Sequence, residues 1–251
     1  MKTLVTLLPS VDVDLGRWLM QLWEIGYVEE PHAPVFHIYA LKRYGLGPRD
    51  YPCLIDGETK TAAIERLVVA YDHLAPSRVL PDEKAEPELY QEVFQLQNDA
   101  RYTMGNGVVN WAYYEFMKDK SLVWKSFTAG VPWYEWLAVL LGYSWIASKM
   151  RAGLGLNDES AAEGLADARA GFDRIDALLA DGRTYLAGDR LTIADLAFAT
   201  SGAPMVLAKG YAGHLPPFER LPANLRVIVE EFRARPAGAF IQRIYDQHRK
   251  V

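Results

Sequence analysis

The sequence has little cysteine, and this shortage excludes several classes of protein. The chain of 251 residues contains one cysteine, Cys53, so neither an internal disulfide framework nor a zinc site built from thiolates is possible. A single cysteine also fits a reducing compartment, and we expect a cytoplasmic protein. At this length the chain can bury a sizeable hydrophobic core without covalent or metal cross-links.

Signals for secretion, for a membrane span and for nucleic-acid binding are also weak. The amino-terminal apolar run meets Asp12 and Asp14 without a small-residue cleavage site, which does not fit a signal peptide. The most apolar later stretch, residues 131–148, is interrupted by Glu135 and is rich in aromatic rings, which favours a buried helix. The formal net charge is −5, whereas phosphate binding needs a concentrated basic face. We therefore expect no membrane span and no nucleic-acid partner.

Two kinds of sequence pattern divide the chain. Short alternating elements and prolines dominate the first part, and helical periodicity dominates the second. Pro76 and Pro81 would interrupt a helix between the two parts, so this segment is predicted to be an extended connector. We predict a domain over residues 1–76, a linker over residues 77–85 and a second domain over residues 86–251.

The first part has the pattern of a small mixed sheet with helices. A β-prone run over residues 3–8 is followed by a helical pattern that ends at Gly26. Residues 32–41 are predicted to hold the second strand, residues 53–55 the third, and residues 61–74 a further helix. This order of elements makes a mixed sheet with helices packed on it.

The second part is predicted to be helical throughout. Residues 160–179 carry apolar side chains at alternating intervals of three and four, which is the stripe of a helix that faces a helical core. Ser160 and Glu163 have the spacing of a capping box at the start of this helix.

A stronger helix start lies further along the chain. Thr192 and Asp195 have the spacing of an aspartate capping box, and Leu191 and Leu196 are placed to form a hydrophobic staple. Replacing a capping threonine by alanine usually costs about 0.5–2 kcal/mol of stability. We therefore interpret Thr192 and Asp195 as a structural N-cap and not as catalytic groups.

This helix start belongs to an ordered set of motifs that resembles the glutathione transferase superfamily. The set comprises Tyr51-Pro52-Cys53-Leu54, residues 185–195, Leu221-Pro222-Ala223-Asn224-Leu225 and Arg233-Ala234-Arg235-Pro236-Ala237. The resemblance spans nearly the whole chain. It implies an α+β thioredoxin-like amino-terminal domain, an all-α carboxy-terminal domain and a homodimer. It also implies glutathione as co-substrate, a hydrophobic small molecule as second ligand, and no metal.

The resemblance also implies roles for the residues that meet the cysteinyl part of glutathione. The family places a proline, typically cis, before its third strand, so Pro52 would fix the conformation and the Tyr51 backbone would be the contact. A residue after the first strand stabilises the thiolate, because the thiolate is the nucleophile. Residues 8–14 contain no tyrosine or cysteine, which leaves Ser10 as the candidate catalytic hydrogen-bond donor. Ser10 as an ordinary turn residue stays open.

The γ-glutamyl carboxylate would bind at the start of the next helix. Thr61, preceded by Lys60 and followed by the Ala62 N–H, resembles the family's hydroxyl-bearing helix start, and helix amino termini favour anions. The alternatives are that Thr59 takes this role, or that Thr61 is only a helix cap.

The charges near Ser10 suggest a competing function. Asp12 and Asp14 would repel a nearby thiolate, and Arg17 offers only a partial offset. The leading hypothesis is a glutathione-dependent transferase that attacks a hydrophobic electrophile, and related isomerisation or ether cleavage would use the same site. The alternative is a non-catalytic protein of the same fold that binds a hydrophobic ligand or serves as an assembly module.

The second-ligand pocket is predicted in the aromatic part of the helical domain. Asn106, Asn110, Trp111 and Tyr114 are the candidate lining residues, although most of the rings in this region are expected to be core. Cys53 follows a proline on a strand and is not expected to be a nucleophile. The five histidines have no metal-ligand spacing.

Overall fold

The amino-terminal part forms a four-stranded sheet with three α-helices. A computed structural model describes residues 1–250 of the chain. Its first elements are β1 (Thr3–Leu7), α1 (Val11–Leu22), β2 (Val28–His32), α2 (Phe36–Arg43), β3 (Cys53–Asp56), β4 (Thr59–Ala62) and α3 (Ile64–Tyr71). The strand order is β2-β1-β3-β4, with β2 parallel and β3 antiparallel to β1. The predicted thioredoxin-like mixed sheet is confirmed.

The second strand lies earlier than the sequence predicts. β2 ends at His32, where the predicted strand begins, and most of the predicted strand is helix α2. β2 is an edge strand, with β1 as its neighbour. An edge position tolerates Pro31 and the charged side chains of Glu29 and Glu30, because one side of the strand needs no hydrogen-bond donors. Residue propensities do not predict a strand with this composition, because proline and glutamate are rare in strands.

The remaining elements are helical, as predicted. They are α4 (Pro87–Asn98), α5 (Gly105–Phe116), α6 (Lys120–Thr128), α7 (Trp133–Leu154), α8 (Asp158–Leu179), α9 (Ile193–Val206), α10 (Ala223–Arg233) and α11 (Pro236–His248). A π-helical turn, Asp99–Met104, joins α4 to α5, and 3-10 turns cover Asp72–Leu74 and Phe218–Arg220. Within residues 1–250, no helix combines the length and the apolar character needed to cross a bilayer.

Helix α9 is the centre of the helical part. All of its residues are buried, and α1, α4, α5, α10 and α11 pack around it. Water therefore cannot satisfy its first N–H groups. Thr192 and Asp195 form a capping box at this end, in which the Thr192 N–H donates to Asp195 Oδ2 at 2.7 Å. The Leu186 N–H donates to the other carboxylate oxygen at 2.7 Å.

One aspartate orders the connector between the two parts. The Asp72 carboxylate accepts hydrogen bonds from the Val79 and Leu80 N–H groups at 2.9 and 3.1 Å, and from the indole of Trp23 in α1 at 2.9 Å. The Val79 carbonyl in turn accepts from the Ile193 N–H at 2.8 Å. The connector thereby joins α1 of the sheet domain to the first turn of α9.

Helix α8 starts two residues before the predicted Ser160. Its capping box is formed by Asn157 and Ser160, so the predicted pairing of Ser160 with Glu163 is wrong. α8 crosses α5 closely, because a Cβ on Gly107 would lie 2.7 Å from the carbonyl oxygen of Gly164. Glycine at both positions lets the two backbones meet.

Helix α7 reaches back to the sheet domain through a buried ion pair. Glu135 Oε1 lies 2.7 Å from His32 Nδ1, and Glu135 Oε2 accepts the Ala33 N–H at 2.9 Å. His32 Nε2 lies 3.1 Å from Glu30 Oε1. Burial lowers the pKa of His32, but the hydrogen bonds and charges of Glu135 and Glu30 more than offset this effect, so the pKa lies above its usual 6.5.

The capping box of α9 predicts a large loss of stability on its removal. Asp195→Ala leaves three donors without an acceptor: the Leu186 N–H, the Thr192 N–H and the Thr192 hydroxyl. We expect the free energy of unfolding in urea to fall by about 2–4 kcal/mol. Asp189→Ala, at an exposed position in the same segment, is the control and should change it by less than about 0.5 kcal/mol. Equal effects of the two variants would contradict this role.

The His32 ion pair predicts a pH-dependent stability. A histidine whose pKa is raised by folding stabilises the native state fully below its unfolded pKa, and this stabilisation is lost as the pH rises through the folded pKa. The free energy of unfolding of His32→Gln should therefore fall furthest below that of the unmodified chain near pH 6, and the gap should shrink above about pH 6.5. His73→Gln, at an exposed histidine, is the control. A gap that widens with pH would contradict the ion pair.

Candidate functional site

The centre of the candidate site is the Tyr51-Pro52 peptide bond, which is cis, as the resemblance implies. Within residues 1–250, no hydrogen bond engages the Tyr51 N–H or C=O, so this backbone edge is open. Helix α1 packs directly on Pro52 through Gly16, where a Cβ would lie 2.5 Å from the Pro52 Cγ. Gly16 therefore lets α1 approach the loop that carries Tyr51.

Ser10 lies at the junction of β1 and α1. It occupies the N-cap position of α1, its side chain makes no capping hydrogen bond, and the residue is 8 % exposed. The Ser10 carbonyl accepts the Val13 and Asp14 N–H groups at 3.1 and 3.2 Å. The Ser10 carbonyl is thus used by the first turn of α1, and the Ser10 hydroxyl is the group that can hydrogen-bond to a ligand.

Asp14 and Arg17 are both engaged in other pairs. The fully buried Asp14 carboxylate accepts the Tyr245 hydroxyl at 2.6 Å and pairs with Arg249 at 3.2 Å. Arg17 pairs with Glu29 of β2 at 2.5 Å. Asp14 therefore belongs to the contact between α1 and α11. Burial lowers the pKa of Arg17, but Glu29 and, less strongly, Asp14 raise it above its usual value, and Arg17 makes no hydrogen bond to Asp14.

Asp12 is neutralised by an arginine of the π-helical turn. Arg101 Nε donates to Asp12 Oδ1 at 2.9 Å, and Arg101 Nη1 donates to Glu65 Oε1 at 2.5 Å. Burial lowers the pKa of Arg101, but Asp12 and Glu65 more than offset this effect, so the guanidinium stays charged. Tyr102 donates to the same Glu65 carboxylate. The helical domain thereby supplies a cation at the first turns of both α1 and α3.

The segment predicted to hold the γ-glutamyl carboxylate lies in β4. Thr61 and Ala62 are buried strand residues, and Thr59 is exposed on the same strand. The Lys60 ammonium donates to the Tyr44 carbonyl at 2.6 Å. Thr61 therefore does not cap a helix, and the predicted helix start is three residues too early.

The start of α3 itself lies beside the cis proline. Ala63 is its N-cap, with a φ of 65° and no side-chain capping bond. The Ala63 N–H donates to the Pro52 carbonyl at 3.0 Å. The amides of the first turn, beginning with Ile64 and Glu65, follow directly. Unpaired amides at a helix start attract anions.

Two further polar side chains flank Tyr51. The His37 ring meets the Tyr51 ring edge-on, with the centroids 5.3 Å apart, and burial lowers the pKa of His37 to about 4. Burial also raises the pKa of Tyr51, whose charged neighbours are Asp12 and the exposed Arg49. Arg49 is the cation on this side of the loop.

Tyr113 of α5 contacts the Ser10 loop from the helical domain. The Tyr113 hydroxyl donates to the Pro9 carbonyl at 3.2 Å, and the Tyr211 hydroxyl donates to the same oxygen at 3.5 Å. Burial raises the pKa of both tyrosines, so both stay protonated at neutral pH. A small, mostly apolar cleft lies between Pro9, α5, α6 and residues 211–216. Tyr113 was not among the predicted residues.

The four side chains predicted to line an apolar pocket lie away from this cleft: Asn106, Asn110, Trp111 and Tyr114. Trp111 is a core residue, and Asn106 is exposed. The Tyr114 hydroxyl donates to Asp158 of α8 at 2.5 Å, and the Asn110 Cβ lies against α8. Successive side chains on a helix point about 100° apart, so Tyr113 faces Pro9 whereas Tyr114 faces α8.

Cys53 is poorly placed to act as a nucleophile. Cys53 is fully buried, and burial, together with the charge of Asp50, raises its pKa to about 12. Among residues 1–250, no three histidine, cysteine, aspartate or glutamate side chains are grouped to hold a metal ion.

Comparisons with known proteins identify the fold. Residues 158–235 match the glutathione S-transferase C-terminal domain. The chain is similar to a crystal structure of a glutathione S-transferase from Rhodospirillum rubrum F11, with 16 % identity, coverage of 96 % of this chain and 91 % of the other, and a TM-score of 0.56. No curated protein sequence matches it significantly.

Two other solved structures show the same similarity. The β-etherase LigF from Sphingobium sp. strain SYK-6 is 14 % identical, with coverage of 96 % and 98 % and a TM-score of 0.56. A glutathione S-transferase from Methylobacillus flagellatus KT, solved with glutathione bound, is 13 % identical, with coverage of 96 % and 98 % and a TM-score of 0.55. At these identities the similarity establishes the fold.

The burial of Cys53 predicts an unreactive thiol. Because the thiolate is the reactive form and the pKa is raised to about 12, iodoacetamide should label the native chain at least about a hundredfold more slowly than the urea-unfolded chain. The unfolded chain is the matched control, since it carries the same thiol without burial. Equal labelling rates would contradict the buried position and would return Cys53 to the list of candidate nucleophiles.

Proposed function

We propose that this chain, which has the fold of the glutathione S-transferase superfamily and carries that family's C-terminal domain, binds glutathione between its two domains. The thiolate of the bound glutathione would attack a hydrophobic electrophile. The observation that carries the proposal is the open backbone edge of Tyr51 at the cis Pro52. An extended peptide can pair with such an edge through main-chain hydrogen bonds.

The groups around this edge match the other parts of glutathione. The first amides of α3, at Ile64 and Glu65, would receive the γ-glutamyl carboxylate, and the Glu65 carboxylate would receive the α-amino group. Arg49, on the other side of Tyr51, would meet the glycyl carboxylate. This assignment moves the γ-glutamyl contact from Thr61 to the true start of the helix.

Ser10 is the proposed donor to the thiolate. Its hydroxyl lies at the amino end of α1, where the helix dipole also favours a negative charge. The repulsion expected from the two aspartates is reduced, because Asp12 is paired with Arg101 and Asp14 with Arg249. Lowering the pKa of the bound thiol by one unit requires about 1.4 kcal/mol of preferential thiolate stabilisation.

The cavity beside Pro9 is the proposed site of the hydrophobic partner. It is lined by Pro9, which directly precedes Ser10, and by Tyr113 of α5. The sulfur would form a bond to an electrophilic carbon, with departure of a leaving group or protonation of the neighbouring atom. Isomerisation or ether cleavage would use the same arrangement. A homodimer and a cytoplasmic location remain part of the proposal.

One observation favours binding without turnover as the second candidate. Ser10 is only 8 % exposed, and two carboxylates of the chain, Asp12 and Glu65, already occupy the first turns of α1 and α3. A ligand-binding protein or an assembly module with an inactive thiol site fits these contacts. Turnover by the unmodified chain decides between this candidate and the transferase.

Calorimetric titration with glutathione tests the proposal first. We expect saturable binding at millimolar or lower concentrations, and no heat at about 10 mM glutathione would overturn it. The pKa of the bound thiol, followed by thiolate ultraviolet absorbance, should lie below the value of about 8.5 for a free cysteine.

Ser10→Ala separates binding from activation. This variant should keep glutathione affinity within about threefold but raise the pKa of the bound thiol and lower kcat with an activated aryl halide by about tenfold or more. Glu65→Gln should weaken binding, whereas Glu58→Gln, at an exposed glutamate in the turn between β3 and β4, is the control and should change neither glutathione affinity nor kcat. Unchanged kcat in Ser10→Ala would remove Ser10 from the mechanism.

A further inference from the structure

Helix α7 exposes an uncharged, mostly apolar face. Six large side chains on it reach solvent, and we call them the α7 face: Trp133, Trp136, Leu137, Leu140, Leu141 and Trp145. Trp133 is 76 % exposed and Leu141 78 % exposed. Large apolar side chains that are exposed together on one side of a helix often mark an interaction site.

The one charged residue in the part of α7 that carries this face is buried. Between positions 133 and 148 only Glu135 carries a charge, and its carboxylate is buried against His32 and the Ala33 N–H. This contact attaches α7 to the sheet domain. The α7 face is therefore presented by a packed helix and carries no acidic group.

Two lysines, Lys120 and Lys149, lie beside the α7 face. Residues 119–151 contain four basic side chains and two acidic ones, Asp119 and the buried Glu135, in a chain whose net charge is −5. Among residues 1–250, none of these four cations forms a salt bridge: Lys120, Lys125, Lys149 and Arg151. The Lys120 ammonium lies 4.9 Å from the Trp124 ring centroid, and the Lys149 ammonium lies 5.8 Å from that of Trp145.

We propose that the α7 face docks on the surface of an anionic lipid bilayer, with α7 lying along the membrane plane. Tryptophan rings are amphipathic and settle at the headgroup level. Leucines would enter the boundary of the acyl region, and the surrounding lysines would meet lipid phosphates. The charge distribution thus matches an anionic surface in a protein that is acidic as a whole.

The same charges argue against a second copy of the chain as the occupant. A two-fold interface brings identical patches together. Two α7 faces in contact would place the unpaired lysines of one copy close to those of the other, and like charges across an interface cost several kcal/mol. An anionic surface removes this repulsion and gains attraction instead.

Vesicle binding tests the proposal. The full chain should co-sediment with phosphatidylglycerol–phosphatidylcholine vesicles at about 1 mM lipid and bind pure phosphatidylcholine at least about tenfold more weakly. About 0.5 M salt should weaken binding to the anionic vesicles, because exposed charges are screened. Leu141→Glu should lower the partition coefficient by about tenfold or more.

Matched variants separate docking from a general loss of structure. Val69→Glu places the same charge at an apolar side chain that is 76 % exposed on α3, and it should leave vesicle binding unchanged. Lys149→Glu should weaken binding to anionic vesicles only. Unfolding temperatures of all three variants should match that of the unmodified chain, since the altered side chains lie at the surface.

Three outcomes would overturn the proposal. One is the absence of binding to anionic vesicles by the folded chain. Another is equal loss of binding in Leu141→Glu and Val69→Glu. The third is a dimer, measured by analytical ultracentrifugation without lipid, that Leu141→Glu converts to a monomer, since the α7 face would then be an interface between copies. These measurements use no glutathione, so they are independent of the proposed enzymatic function.

Discussion

The complete burial of α9 is the constraint on which the rest of the structure depends. A helix packed on every side cannot rely on water for its terminal N–H groups, so its start must be satisfied from within the chain. Asp195 accepts the Thr192 and Leu186 amides, and Val79 accepts the Ile193 amide. Because Val79 belongs to the connector, the same hydrogen bonds that start α9 also fix the relation between the two domains.

The sequence predicted the parts of the fold whose signals are local. The capping motif of α9, the periodic stripe of α8 and the first and third strands all rest on neighbouring residues. The second strand was misplaced, because its stability comes from pairing with β1 at an edge and not from the composition of Val28–His32. The cap of α8 was misassigned because Asn157 and Ser160 compete with Ser160 and Glu163 for the same role.

The candidate site also combines residues that local sequence signals predict with residues that only the packing of the domains brings together. The cis Pro52 and the position of Ser10 follow from motifs along one strand and one turn, whereas Arg101 in the π-helical turn and Tyr113 in α5 are distant from them in sequence. The pairing of Asp12 with Arg101 depends on how the domains pack, and no sequence spacing predicts it. The residues that face the cleft from α5 also depend on the helical register, which places Tyr113 there and turns Tyr114 towards α8.

The π-helical turn at Asp99–Met104 sets this helical register, because it directly precedes α5. Such a turn holds about one residue more than an α-helical turn, and one residue rotates everything that follows by about 100°. A chain with the same side chains but one residue fewer in this turn would form a continuous α-helix and present a different strip of α5 to Pro9. The lining of the cleft on this side therefore depends on the extra residue in this turn, so a change of one residue in its length would bring different side chains to Pro9 without any substitution in α5.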